Sequence, residues 1–172
     1  DIMHEGDISA KTDLADFSET ENLYALGAFE NLKGEIQIFD GISYSTIVQD
    51  SSLIFDKSCE KKASLFVYAS VKDWNSFDIP VQVITYEDLE GFIEKTAKDN
   101  NIDIHKPFPF LIEGKAESFD WHVINWKDGD TEHSHEKHIA SGLHGTIEKS
   151  EVEMLGFYSD SHHAVFTHHT TN

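Results

Sequence analysis

The chain contains no arginine, so every fixed positive charge on it is a lysine. Its 32 acidic residues outnumber the 13 basic ones, which gives a formal net charge of -19. A field of that sign repels the phosphates of nucleic acids, and the guanidinium groups that bind phosphates and guanines through two parallel hydrogen bonds are missing. We therefore predict that nucleic acid is not a partner.

Cysteine and long apolar runs are scarce as well. The one cysteine, Cys59, cannot form an internal disulfide and lies in a polar stretch without a partner motif. No apolar run approaches the roughly 20 residues of a membrane span, so we predict no membrane association. The first residues are polar and acidic and begin at Asp1. We expect a soluble protein, either cytoplasmic or exported after removal of an N-terminal segment.

The apolar and aromatic content of the chain is typical of a globular protein. Apolar residues make up 39% of the 172, and 12 phenylalanines and three tryptophans are among them. Strand-like patterns surround one helical pattern, which predicts an α+β fold with mixed or antiparallel sheets and few helices. We predict two β-rich lobes: residues 1–100, with one helix at about 85–98, and residues 101–172, incomplete at the C-terminal end.

A β-hairpin is the clearest local feature. Polar and apolar residues alternate from Glu35 to Ile38, and Asp40-Gly41 then predicts a type I′ turn, in which both central residues have positive φ. Glu35 lies on the face away from the apolar residues. Gly34 before it has no side chain, so we expect another group to approach its backbone. The alternative for Glu35 is an ordinary solvated carboxylate.

Further elements follow along the chain. Residues 63–71 are apolar on both faces and predict a central strand, and residues 81–84 predict a short strand. Thr85 with Asp88 three residues later indicates a helix N-cap. Two separate strands are predicted at residues 110–112 and 119–125, and two more near residues 145–159 and 163–169.

Histidine is dense in the second half of the chain, which contains ten of the 11. The segment HSHEKH, with His133, His135 and His138, has spacings that suit a divalent metal, but it lacks an apolar anchor. We therefore predict a surface loop, with adventitious metal binding as the alternative. The segment SHHAVFTHH carries four more, of which His168 and His169 are the last. For each of these the competing interpretation is a surface histidine or a buried one with its hydrogen bonds made.

The stretch from Gly27 to Tyr44 resembles the signature of the α-acetolactate decarboxylases. That signature runs G-T-F-x-x-L-D-G-E, then a few apolar residues, then D-G-x-x-Y. The residues in register are Gly27, Phe29, Leu32, Gly34, Glu35, Asp40, Gly41 and Tyr44. Later, LIEGKAESFDWHVINW resembles the family's strand with H-V-R-T-R, and VEMLGFYS resembles its G-T-L-V-G-F-R-T segment. The resemblance extends from about Leu23 onward.

The resemblance implies a metal-dependent lyase that removes CO2 from 2-acetolactate, a small 2-hydroxy-3-oxo acid, to form acetoin. Zinc, or another divalent metal, is the Lewis acid for the enediolate that remains, and an acid then protonates one face of that enediolate. The metal site is expected between the two lobes or beside them. Members of the family commonly pair, which implies a homodimer.

Metal ligands are assigned from the same resemblance. Glu35 matches the signature glutamate, so it is predicted as the catalytic residue and as a metal ligand. We expect the family's H-x-H to lie beyond Asn172. His168 and His169 are therefore predicted as ligands for their proximity to it, and not from a motif match.

Substrate-binding residues are predicted where the chain departs from the family pattern. Ile124 or Trp126 stands opposite the arginine of H-V-R-T-R, and Lys33 and Ala28 replace the signature aspartate and threonine. We predict Trp126 and Lys33 as substrate-binding residues. The loss of arginine leaves open a non-catalytic protein of the same fold that binds a metal or a small ligand.

A third hypothesis needs no site at all. An acidic interaction domain could carry histidines that buffer its surface and bind metal only adventitiously. It predicts no tightly bound zinc after dialysis.

Overall fold

The structure, a computed structural model, describes residues 8–58, 60–130 and 135–161, and of His135 and His138 the backbone alone. These ranges contain nine strands and two α-helices: β1 Thr12–Asp13, β2 Leu23–Phe29, β3 Glu35–Phe39, β4 Ile42–Ser43, β5 Ser45–Gln49, β6 Ser52–Asp56, β7 Lys62–Ser70, α1 Tyr86–Asp99, β8 Phe108–Val123, α2 His135–Ser141 and β9 Leu143–Tyr158. Every strand pair among them is antiparallel, so the predicted α+β fold with few helices is confirmed.

Seven of the strands form one sheet. Its order is β1-β7-β2-β3-β5-β6, and β4 pairs with β3 beside this path. The predicted hairpin joins β3 to β4 through Asp40 and Gly41, whose φ values of 47° and 77° are those of a type I′ turn. The predicted strand at residues 63–71 is β7, which lies between β1 and β2 and is buried in its first half alone.

The two faces of this sheet bury different clusters. On one face Leu14, Leu23, Ala25, Phe29, Ile36, Ile38 and Ala63 form a core. Ile36 is 1% exposed, and burying a side chain of that size contributes about 1.5–3 kcal/mol. On the other face Ala28, Leu32 and Leu65 are covered by Ile124 and Trp126, which come from the chain after β8. The start of β3 is therefore covered by the second half of the sequence.

Helix α1 begins as its sequence predicts. The Thr85 hydroxyl accepts a hydrogen bond from the Asp88 N–H at 3.1 Å, and the Asp88 carboxylate accepts one from the Thr85 N–H at 3.1 Å. The helix ends before Asn101, whose φ of 60° is left-handed. Its Ala97 packs against Tyr158 at the end of β9.

The second sheet is a long two-stranded ribbon. β8 and β9 pair from Phe108 opposite Tyr158 to Val123 opposite Leu143. The two strands predicted at 110–112 and 119–125 are thus parts of one continuous strand, which runs through Gly114 and ends at Val123. The strand predicted near residues 145–159 is β9, and the one predicted at 163–169 lies outside the described residues.

Two further predictions are wrong. Residues 81–84 form no strand, because no neighbouring strand pairs with them in the described ranges. A turn closes there, with the Val83 N–H donating to the Pro80 carbonyl at 2.9 Å, and Val81 is 88% exposed. Residues 135–141 of the predicted surface loop form α2, whose first turn carries Glu136, a favourable charge at a helix N-terminus.

The proposed division at about residue 100 stays a prediction. None of the helices in the described ranges is long and apolar enough to cross a membrane.

Candidate functional site around Glu35

Glu35 is the first residue of β3 and lies between two neighbouring strands. Ala28 on β2 is its partner on one side, and Thr46 on β5 is its partner on the other. Because side chains alternate along a strand, Glu35 points away from the core of Ile36 and toward the face that Ile124 covers. The carboxyl group therefore lies under the chain that follows β8.

The carboxyl group of Glu35 is fixed by one backbone group. Its Oε1 accepts a hydrogen bond from the Ile124 N–H at 3.1 Å. Burial raises the pKa of Glu35 to about 7, and the hydrogen bond from Ile124 opposes this effect only in part. A carboxyl group with that pKa is present in both protonation states near neutral pH, so it can donate or accept a proton.

Gly34 explains why β3 and β5 lie so close together here. Its φ is 126°, and a Cβ on it would lie 2.3 Å from the Thr46 carbonyl oxygen. The predicted close approach to Gly34 is thus real, but the approaching group is the backbone of β5 and not a ligand. The approach fixes Thr46 directly beside Glu35.

Lys33 and Trp126 join the turn before β3 to the covering chain. The Trp126 N–H donates to the Leu32 carbonyl at 2.9 Å, and the Lys33 ammonium donates to the Trp126 carbonyl. Lys33 also forms an ion pair with Asp128 at 2.9 Å. These contacts hold Ile124 over Glu35. The positive charge of Lys33 is balanced by Asp128, with which a substrate carboxylate would compete.

The Trp126 side chain is part of the core on this face. It is 2% exposed, packs in the cluster with Leu32 and Leu65, and donates its indole N–H to the Asp130 carbonyl at 2.9 Å. The substrate-binding roles of Trp126 and Lys33 stay predictions.

Two groups at this site were not anticipated. One is the Ile124 N–H that orients Glu35, which no side-chain pattern can reveal. The other is Thr46, which is 7% exposed and whose hydroxyl makes no hydrogen bond within the described residues. Ile42 and Tyr44, which precede Thr46 at alternate positions, are 57% and 48% exposed, so the alternation does not predict that Thr46 is buried. That pattern does not indicate that Thr46 pairs with Glu35.

Only part of the predicted metal-ligand set falls within the described residues. His168 and His169 lie outside the described residues, and so does His133. Within residues 8–58, 60–130 and 135–161, no three His, Cys, Asp or Glu side chains are grouped as a metal site. Glu35 is the member of the predicted ligand set that the structure describes, and the described residues alone do not complete a metal centre.

Fold and site together define an α+β protein in which one oriented glutamate lies between the main sheet and a covering segment. The structure resembles that of α-acetolactate decarboxylase from Bacillus subtilis strain 168, with a TM-score of 0.65 and 13% identity over 95% of this chain and 66% of that one. It also resembles a protein of unknown function from Staphylococcus aureus that is described as similar to α-acetolactate decarboxylase. Here the TM-score is 0.57, with 15% identity over 88% of this chain and 61% of that one.

These likenesses establish the fold. The chain spans slightly less than two thirds of the length of both proteins. No protein-family model and no curated protein matches the sequence.

Proposed function

We propose that the protein is a metal-dependent decarboxylase that converts 2-acetolactate to acetoin and CO2. The observation that carries this proposal is the state of Glu35, the residue that matches the signature glutamate. It is oriented by Ile124, it lies at the covered face of the sheet, and its pKa is raised to about 7. The fold shared with an α-acetolactate decarboxylase supports the proposal.

In the proposed reaction the bond between the carboxylate carbon and the carbon that bears the hydroxyl breaks. The electron pair remains as an enediolate while CO2 leaves, and a proton added to carbon then gives acetoin. Glu35 supplies that proton from one face and is protonated again by water. Because the Ile124 N–H occupies Oε1, Oε2 is the oxygen that carries the proton.

Zinc, or another divalent metal, is part of the proposal as the Lewis acid for the substrate oxygens. Its proposed ligands are Glu35, His168 and His169. A carboxylate bonded directly to zinc is ionised, so it cannot donate a proton at the same time. The two roles predicted for Glu35 are therefore alternatives in any one state, and the raised pKa favours the role of acid.

The test is acetoin formation from racemic 2-acetolactate by the complete encoded chain. It is measured before chelation, after chelation and after zinc is restored. We expect activity that chelation abolishes and zinc restores, and Glu35→Gln should lower kcat at least about 100-fold with the fold intact. Glu30→Gln, an exposed residue of the preceding turn, is the matched control and should keep full activity. Normal turnover by Glu35→Gln would refute the assignment.

A second candidate is a non-catalytic protein of the same fold that binds a metal or a small ligand. The partners of Lys33 favour it, since Asp128 and the Trp126 carbonyl already occupy the cation nearest in sequence to Glu35. Ile124 is 2% exposed and apolar where a carboxylate-binding arginine was expected. In the same experiment this candidate predicts a folded protein with stoichiometric metal and no acetoin.

A further inference from the structure

The Thr46 hydroxyl is a polar group that the folded chain leaves unused. Thr46 is 7% exposed, and its Oγ1 has no hydrogen-bond partner within the described part of the chain. A buried hydroxyl without a partner destabilises a fold, and valine has the same shape without that cost. The presence of threonine at this position therefore needs a reason other than packing.

Neighbouring buried hydroxyl groups show that the strands normally use them. Ser45 is 1% exposed, and its hydroxyl accepts hydrogen bonds from the Gln37 N–H at 3.2 Å and the Ser43 hydroxyl at 2.9 Å. Ser64 is 4% exposed and donates to the Phe29 carbonyl at 2.9 Å. Thr46 differs from both, although it belongs to the same sheet.

The position of the Thr46 side chain is fixed beside Glu35. The two residues are direct partners in the antiparallel pair of β3 and β5, which places their Cβ atoms about 5 Å apart on one face. The close approach of the Thr46 carbonyl to Gly34 prevents β5 from moving toward β3 or rotating. Threonine is stiff at χ1, so its hydroxyl cannot easily turn elsewhere. Ala28, on the other side of Glu35, offers no hydroxyl.

We propose that Thr46 Oγ1 is a ligand-binding group, which hydrogen-bonds a hydroxyl or keto oxygen of the small molecule bound beside Glu35. This inference rests on the proposed function for the identity of the substrate. The orphaned hydroxyl is the observation that points to a ligand oxygen here, whichever small molecule carries it. Thr46 is a binding residue here and takes no part in proton transfer.

The test compares Thr46→Val, Thr46→Ser and Ser64→Ala with the unchanged protein. We expect Thr46→Val to unfold at the same urea concentration or a higher one, because it removes an unsatisfied group. With racemic 2-acetolactate it should raise KM about 10-fold and change kcat less than about threefold, since the bond is made to bound substrate throughout the reaction. Thr46→Ser should restore KM to within about threefold. Ser64→Ala should lower the urea midpoint and leave KM unchanged.

A lower urea midpoint or a failure to fold in Thr46→Val would overturn the inference, because it would show that the hydroxyl stabilises the fold. An unchanged KM would overturn it too. A wild-type protein that forms no acetoin would refute the proposed function, but not the role of Thr46. In that case the role of Thr46 is tested by acetoin binding, measured from the shift of the thermal midpoint. At least about 10-fold weaker acetoin binding by Thr46→Val supports the inference, and equal or absent binding contradicts it.

Discussion

Glu35 shows how a single residue acquires its properties from its surroundings. A carboxyl group at the start of an exposed strand has a pKa near 4.5, and burial raises the pKa of Glu35 to about 7. Ile124 belongs to the buried cluster on this face and donates its backbone N–H to Glu35, whereas a cation beside the carboxyl group would lower its pKa. Burial without a neighbouring cation thus determines what the glutamate can do at neutral pH.

This raised pKa makes stability depend on pH. Between pH 4.5 and about 7 folded Glu35 retains a proton that the unfolded chain has released. The free energy of unfolding therefore falls as pH rises through this window, by up to roughly 3 kcal/mol, and the loss is complete above pH 7. We predict that Glu35→Gln removes this loss. In metal-free protein it should be more stable than the unchanged chain at pH 8, with little difference at pH 4.5.

Urea unfolding of both proteins from pH 4.5 to pH 8 measures this difference. Glu30→Gln is the control, and its stability relative to the unchanged chain should not vary in the same window. A constant difference between Glu35→Gln and the unchanged chain across the window would show that Glu35 has an ordinary pKa.

At the scale of elements, the pairing of β3 with β5 depends on Gly34. A methyl group at this position would meet the Thr46 carbonyl at 2.3 Å, and the φ of 126° is also unfavourable for alanine. We predict that Gly34→Ala costs at least about 3 kcal/mol of unfolding free energy and separates Thr46 from Glu35, because backbone at this distance cannot move aside without breaking the strand pair.

Gly41→Ala is the matched control for this prediction. Gly41 also has a positive φ, of 77°, but nothing lies within 4 Å of the place where its Cβ would be. Its substitution should cost only the conformational strain of about 1–2 kcal/mol. Urea unfolding of the two variants measures both effects, and equal losses would show that the close approach at Gly34 contributes nothing.

At the scale of the whole molecule, the net charge of -19 opposes folding. Compaction brings like charges together, and salt screens their repulsion over a Debye length of about 10 Å at 0.1 M. We predict that raising sodium chloride from 0.02 M to 0.5 M increases the thermal midpoint by several degrees. Sucrose of the same osmolality is the control for non-ionic effects. A thermal midpoint that falls or stays constant with salt would contradict the prediction.

Local features could be read from the sequence because neighbouring residues determine them. The Asp40-Gly41 turn needs only two residues that accept positive φ, and the N-cap of α1 needs only Thr85 and Asp88. The extent of strands could not be predicted in this way, because it depends on pairing with distant residues. The strand predicted at residues 81–84 fails because an alternating pattern supplies no partner strand, and β8 is one strand because β9 pairs with it along its whole length.

In the candidate site, too, local features could be predicted from the sequence and distant contacts could not. The glycine before Glu35 and the direction of Glu35, away from the apolar face of its strand, follow from the order of residues, since alternation and the hairpin turn are local properties. The contacts of Glu35 with Ile124 and with Thr46, by contrast, exist only in the folded molecule. The contact with Ile124 spans 89 residues and depends on the packing of the second half of the chain on the sheet, whereas the contact with Thr46 depends on the pairing of β3 with β5.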